Sequence, residues 1–353
     1  MQYINPRLAR NNFDLLRLLF AGTVCLAHAY TLSGFEQLGW IAKFLSSSVA
    51  VKAFFVVSGF LIFMSFERSS SIKSYAIKRI RRIYPAYFVA VLSFAIILIL
   101  ASSKNTTDYF SLDWIKYIAA NLSFLNFLMP TLPGVFDFNN YNAVNGALWT
   151  LKIEVLFYFS VPFFIVLFRK FSHFPVLVTA YCLSVAYTLT FQAIAQKTGS
   201  TTYLELSRQL PGQLSYFLAG AFFYYYLPLF ENRSRYFLVA AIAILIFNTT
   251  FPLPILEPFA LATIVIYSAM FLYIGNFGKY GDFSYGMYIL HFPIIQLILH
   301  KGWFNDSPWL FLIAIISITL LAAITLWHFV EKRFLLRANH YIAENSPSQY
   351  NPH

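Results

Sequence analysis

Ten apolar runs, each 17–21 residues long, succeed one another along this chain, at 13–33, 46–66, 83–102, 148–168, 175–195, 211–230, 236–252, 259–275, 282–300 and 309–329. A helix of that length spans the roughly 30 Å hydrocarbon core of a bilayer. The runs therefore predict an all-α, polytopic integral membrane protein with about ten transmembrane helices. Composition agrees, with 59% hydrophobic residues, 11% charged residues and a mean hydropathy of +0.63. An eleventh piece, 115–129, is broken by Asp113, Lys116, Asn121 and Asn126 and followed by Pro130 and Pro133. It is read as an additional re-entrant or interfacial helix inside a long loop. Residues 1–338 form one membrane domain on this reading, and the polar stretch 339–353 is a mobile cytoplasmic tail.

The net charge of +11 raises nucleic acid as a partner, but the basic residues cluster between apolar runs, where membrane orientation accounts for them. Of the 25 Lys and Arg, 16 fall on the side of the two termini, six on the other and three inside runs. That bias places both termini in the cytoplasm. Arg7 and Arg10 before an apolar run ending Ala27-His28-Ala29 mimic a secretory signal, but Asp14 and Arg17 interrupt it and a second run follows at once. Cys25 and Cys182 lie in different runs, in no metal-ligand or disulfide pattern. No metal site is predicted.

Ionisable groups are costly in hydrocarbon and mark cavities or pathways. Arg17 and His28 are eleven residues apart in the first run. At 100° per residue they return to within about 20° of one face, roughly 16 Å apart along the axis. His28 lies about 7–8 Å, and Glu154 about 9 Å, from the outer ends of their runs. The matched depths fit either two satisfied polar groups bonding neighbouring helices or a general base, His28, oriented by Glu154. For Arg17 there are two readings, a salt bridge to Asp14 three residues earlier, or stabilisation of negative charge on a donor or a tetrahedral oxyanion.

Between the second and third runs, Lys78, Arg79, Arg81 and Arg82 alternate with Ile77, Ile80 and Ile83. The spacing predicts an amphipathic helix with a basic cytoplasmic face able to grip a phosphorylated donor, although positive-inside bias or contact with membrane lipids explains the same run. Ser58-Gly59 offers a small surface for close helix packing or for passage of a thin acyl chain, and Ser58 is a weaker candidate nucleophile. His291 reads equally as a packing or a cavity-lining group. Tyr109, Trp114, Tyr141 and Trp303 of the outer loops read equally as an interfacial aromatic belt or as stacking rings, and the length of the loop 103–147 makes it a candidate functional platform.

Taken together, the motifs resemble the family-3 membrane acyltransferases, bacterial enzymes that decorate envelope and secreted glycans. Arg17-x10-His28, Phe55-Val-Val-Ser-Gly-Phe60, Arg79-x-x-Arg82 before Tyr84-Pro85, Trp149-Thr-Leu-Lys-Ile-Glu154, Tyr288-Ile-Leu-His291 and Val330-Glu-Lys332 stand in the expected order. Arg333 departs from the pattern, which often has Pro there. The resemblance implies a bacterial inner-membrane protein that takes an acyl group from cytoplasmic acetyl-coenzyme A, or a similar acyl-CoA, to a hydroxyl of a lipid-linked or surface polysaccharide such as O-antigen, capsule or exopolysaccharide. It implies His28, Glu154 and Arg17 as catalytic residues. Arg79, Arg81, Arg82 and Ser58 would hold the donor, and Trp149, Tyr288 and His291 the substrate. The rival reading is a proton-coupled transporter of a lipid-linked glycan or organic acid, using His28, Glu154 and His291 as a relay.

Overall fold

The computed structural model describes residues 6–335. The predicted boundary at 338 and the tail beyond it lie outside that range. Eleven helices carry the architecture: α1 (Phe13–Ser33), α2 (Ser47–Glu67), α3 (Ile72–Ile97), α4 (Leu112–Leu122), α5 (Trp149–Phe171), α6 (His173–Thr198), α7 (Leu210–Tyr225), α8 (Leu227–Asn248), α9 (Glu257–Phe271), α10 (Ser284–His300) and α11 (Pro308–Leu326). Among the described residues there is no strand, only an isolated bridge between Ser102 and Val135. A helix occupies each of the ten apolar runs. Six helical stretches, Phe13–Ser33, Glu36–Glu67, Ile72–Ala101, Gly146–Phe171, His173–Thr198 and Pro308–Phe334, are long and apolar enough to cross a bilayer. Large apolar side chains such as Leu100, Phe159, Val239 and Ile313 point outward from the bundle, as hydrocarbon rather than water requires.

Local chemistry sets the helix ends. Ser46 and Ser71 cap α2 and α3 by accepting from the backbone N–H groups of Val49 and Ser74. Proline in the first turn opens α7, α8, α9 and α11. Gly34 closes α1 with φ +68°. Before α1, the buried Asn12 side chain donates to the Ser268 and Leu272 carbonyls and accepts from Ile274 N–H, tying the start of α1 to the end of α9.

Two helix pairs position the site. The first is α1 with α10, which run parallel: Arg17 meets Asp282 just before α10, and His28 meets His291 within it. The second is α2 with α7, which cross so closely that a Cβ on Gly59 would fall on the Phe217 carbonyl and one on Gly220 on the Val56 carbonyl. Gly59→Val is therefore expected to cost about 3 kcal/mol or more, seen as a collapse of the thermal midpoint of the detergent-solubilised protein. Gly22→Ala, whose new Cβ would meet only Met287 Cε at 3.9 Å, is expected to leave that midpoint in place.

The basic run corrects the sequence expectation. It is not a separate amphipathic helix on the cytoplasmic surface but the first turns of α3, continuous with the apolar part through Pro85. Ile83 is buried, yet Ile80 is 60% exposed and Ile77 is also exposed. Arg79 and Arg82, three residues apart, share the face that turns into the bundle. The helix expected at 115–129 is the eleven-residue α4, whose Tyr117 and Asn121 are buried while Leu112 and Ile115 are exposed. Tyr87 OH donates to the Asn121 carbonyl and so fastens α4 to α3.

Candidate active site

Arg17 and Arg82 converge on one carboxylate oxygen, Asp282 Oδ2. Asp282 is held in turn by Ser284, whose N–H and hydroxyl both donate to Oδ1. Gly281, with φ +119°, makes this possible: a Cβ there would strike the indole of Trp327, which lies against the backbone beside Asp282. Trp327 opens a π-helical turn, Trp327–Glu331, that brings Glu331 within 3.6 Å of Arg82. Such turns re-aim a side chain without ending the helix.

Around this cluster lies a chamber of about 190 Å³. Arg17, Arg68, Lys78, Arg79 and Arg82 line it against Asp14, Glu154 and Asp282, a surplus of two positive charges. Arg79 donates to Ser65 Oγ at 2.9 Å, and its guanidinium lies 5.9 and 5.7 Å from the ring centroids of Tyr75 and Tyr158. Arg81 is exposed on α3 and is not part of the wall. Of the expected donor set Arg79, Arg81, Arg82 and Ser58, the wall holds Arg79, Arg82 and Ser58 but not Arg81, and Arg82 pairs with Asp282. The reason is angular: Arg81 sits 100° around the helix from Arg82 and 200° from Arg79.

A second, narrower chamber of about 50 Å³ continues from the first. Arg17, Ser58, Arg82 and Glu154 line both. Ser58 therefore faces the passage while its neighbour Gly59 packs on α7, so the two readings of this dipeptide apply to different residues. The second chamber ends at Thr150 and Tyr288, whose hydroxyls are 2.7 Å apart. Trp149 lines neither chamber and packs half-buried on the core. Thr150, the next residue, lines the second chamber.

One helical turn beyond Tyr288 is His291, fully buried. Its Nδ1 lies 3.2 Å from the Met287 carbonyl and its Nε2 lies 2.8 Å from His28 Nδ1. A carbonyl only accepts, so His291 Nδ1 carries a proton and Nε2 presents its lone pair. His28 Nδ1–H must then donate to it, which leaves the lone pair on His28 Nε2. That nitrogen has no protein partner among the described residues. The Phe292 ring stands edge-on to His28, 5.2 Å between centroids. The arrangement is a neutral imidazole held in one tautomer with its basic nitrogen available, the state a general base needs.

Glu154 is not part of this pair. Its Oε1 accepts from Tyr158 OH at 2.7 Å, and it stands one turn from Thr150 toward the arginines. His291 stands about one turn from Tyr288 the other way, so Glu154 and the imidazoles are separated by roughly 10 Å along the bundle axis. The predicted orienting partner of His28 is replaced by His291. Arg17, about 16 Å from His28 along α1, is likewise too far to stabilise an oxyanion formed there, and its side chain pairs with Asp282. Of the candidate stacking rings, Tyr109 is fully buried with its OH donating to the Ala95 carbonyl, and the part-buried Trp114 donates to the same carbonyl through Nε1.

The loop before α5 covers the histidines. Gln296 donates to the Tyr141 and Ala143 carbonyls, Asn145 donates to Ile289, and the Tyr141 ring meets Phe292 at 5.9 Å.

The acyltransferase-3 family model, described as an acyltransferase domain, matches residues 10–328. The chain belongs to this family. It is an enzyme, a membrane acyltransferase of the O-acyl or O-acetyl class. Among similar proteins is nodulation protein 10 of Rhizobium leguminosarum bv. viciae, 26% identical over 92% of both chains. An O-acetyl transferase of Shigella phage Sf6 is 25% identical over 93% of this chain and 97% of its own. An uncharacterized protein of Haemophilus influenzae is 35% identical over 35% of this chain and 52% of its own. No solved structure matches. The match takes in every residue named at this acyltransferase's candidate site except Glu331.

Asp282 and Tyr158 escaped the reading of the sequence, and Thr150 and Glu331 entered it only as members of motifs, without a role of their own. For Asp282 only a partial signal was available: in a ten-run alternation the first and ninth runs point the same way, so the start of the ninth shares the depth of Arg17.

Proposed function

We propose that this acyltransferase moves an acetyl group from acetyl-coenzyme A, taken up at the basic mouth on the cytoplasmic side, to a hydroxyl of a lipid-linked or surface polysaccharide beyond the outer leaflet of the bacterial inner membrane. The observation that carries this reading is the continuity of the two chambers, from a mouth with surplus positive charge to Tyr288, one turn short of the His28–His291 pair. Ten membrane crossings with both termini cytoplasmic put the 16 basic residues on the donor side.

On this reading Arg79, Lys78 and Arg68 bind the coenzyme phosphates, while Ser58 and Glu154 line the passage for the pantetheine arm. At its far end His28 Nε2 takes the proton of the sugar hydroxyl as oxygen attacks the thioester carbon. The C–S bond breaks, an O-acetyl ester forms, and the proton leaves with the coenzyme thiol. Tyr288 and Thr150 flank the approach.

The test is transfer of labelled acetyl from acetyl-coenzyme A to envelope glycans in membranes holding the wild type or a variant. Label is expected with the wild type; its absence across acyl donors would overturn the proposal. In the same assay Arg79→Ala is expected to raise the KM for the coenzyme about tenfold or more, from loss of a charged hydrogen bond. Arg81→Ala, outside the chamber, is expected to leave it within about twofold of wild type.

A further inference from the structure

At the end of the bundle remote from the basic mouth lies another cavity, of about 220 Å³, between the first turns of α2 and α9, α6, α7 and the short helix Thr201–Ser207. It shares no lining residue with the two chambers. Along α2, Lys52 at this cavity is roughly 24 Å from Arg68 at the basic mouth. A water needs only about 10–15 Å³, so the space is sized for a ligand.

Its wall is built and internally balanced. Glu257 Oε1 accepts from Lys52 Nζ at 2.8 Å and from Tyr216 OH at 2.9 Å, and Lys52 lies 5.0 Å from the centre of the Tyr216 ring. Arg208 pairs with Glu205 at 3.1 Å. Ser184 Oγ accepts from Ser215 N–H and donates to the Pro211 carbonyl, fixing the first turn of α7. Gly212 lets that turn meet the Thr201–Ser207 helix, since a Cβ there would fall on the Ser207 carbonyl.

Two groups in this satisfied wall stand apart. Gln213 is 8% exposed and Ser215 2% exposed, both line the cavity, and neither the carboxamide nor the hydroxyl has a hydrogen-bond partner in the protein among the described residues. Both open their polar atoms onto the cavity, so whatever occupies it must pair them. A carboxamide and a hydroxyl each donate and accept, the pattern that adjacent hydroxyls of a sugar ring match. An anion would require cations not already committed to Glu257 and Glu205. An apolar guest would leave Gln213 and Ser215 unpaired.

We propose that this cavity binds one sugar unit of a neutral saccharide chain, read by Gln213 and Ser215. The further identification of that chain as the acceptor, gripped away from the hydroxyl that reacts at His28, rests on the function proposed above.

Saturation-transfer NMR on the full-length detergent-solubilised protein tests it, with glucose, galactose, rhamnose and N-acetylglucosamine as probes. At least one sugar is expected to receive saturation. Gln213→Met and Ser215→Ala, each with an unchanged thermal midpoint, are expected to weaken that binding about five- to tenfold, and His28→Ala to preserve it. No transfer to any sugar, binding unaltered in both variants, or displacement of the sugar by excess inorganic phosphate would each overturn the proposal. Because acyl transfer is not the readout, failure here and failure of the labelled-acetyl assay are separate results.

Discussion

Acetyl transfer in membranes is expected to fall by about 10²–10⁴-fold on replacing His28 by Ala at matched protein levels, the usual contribution of a positioned general base. The expectation rests on one nitrogen. His291 receives its orientation from the Met287 carbonyl and holds His28 in the tautomer that leaves Nε2 basic. His291→Leu removes the acceptor for His28 Nδ1–H and is expected to lower kcat by at least about tenfold, with the KM for the coenzyme unchanged. His291→Gln, which can offer an amide oxygen to that N–H, is expected to recover part of the loss. Full labelling by the folded His28→Ala protein would remove this imidazole from the chemistry, and equal effects of His291→Leu and His291→Gln would reduce His291 to packing.

The second large effect is one of stability. Asp282 has 11% side-chain exposure and joins two guanidiniums that are each 16% exposed. Taking away the shared carboxylate leaves Arg17 and Arg82 facing each other with little water, a change that costs about 3–5 kcal/mol where a buried ion pair is broken from one side. Asp282→Ala is expected to lower the thermal midpoint of the solubilised protein sharply and to reduce its yield in membranes. A variant that also replaces Arg17 and Arg82 by Met removes the stranded charge, and is expected to recover much of the midpoint while remaining inactive. A midpoint unmoved by Asp282→Ala would mean that Asp14 and Glu331 suffice to hold the two arginines.

The helices were legible because hydrocarbon imposes a length, and apolar runs of that length have few other interpretations. The limits of each helix were less so. At α3, five basic residues lower the local hydropathy, so the run seemed to start at 83, although helical geometry continues back to Ile72. The site was legible as a set of residues and not as a set of pairs. Arg17, His28, Ser58, Arg79, Arg82, Glu154, Tyr288 and His291 all meet the two chambers or the imidazole pair. Matching depths from the ends of two runs put Glu154 beside His28, but depth along separate helices says nothing of which neighbours touch. The partners of Arg17 and His28 lie 265 and 263 residues away, and nearly equal offsets of that kind become visible only once α1 and α10 are known to run side by side. Arg81 shows the opposite limit, since a motif counts charges along the chain whereas a helix distributes them around an axis.

The α2–α7 crossing bears on how a passage through this molecule works. Backbone seated on backbone at Gly59 and Gly220 leaves no side-chain layer that could slide, and α2 carries both Lys52 at one end and Ser58 and Arg68 beside the other cavities. Alternating access needs one half of a protein to rock against the other; a seam of this kind works as a rivet. On the function proposed above, the acyl group then travels only as far as its carrier's own arm reaches, so a donor too short to pass from the arginines to the imidazoles is expected to occupy the mouth and block it without ever being spent.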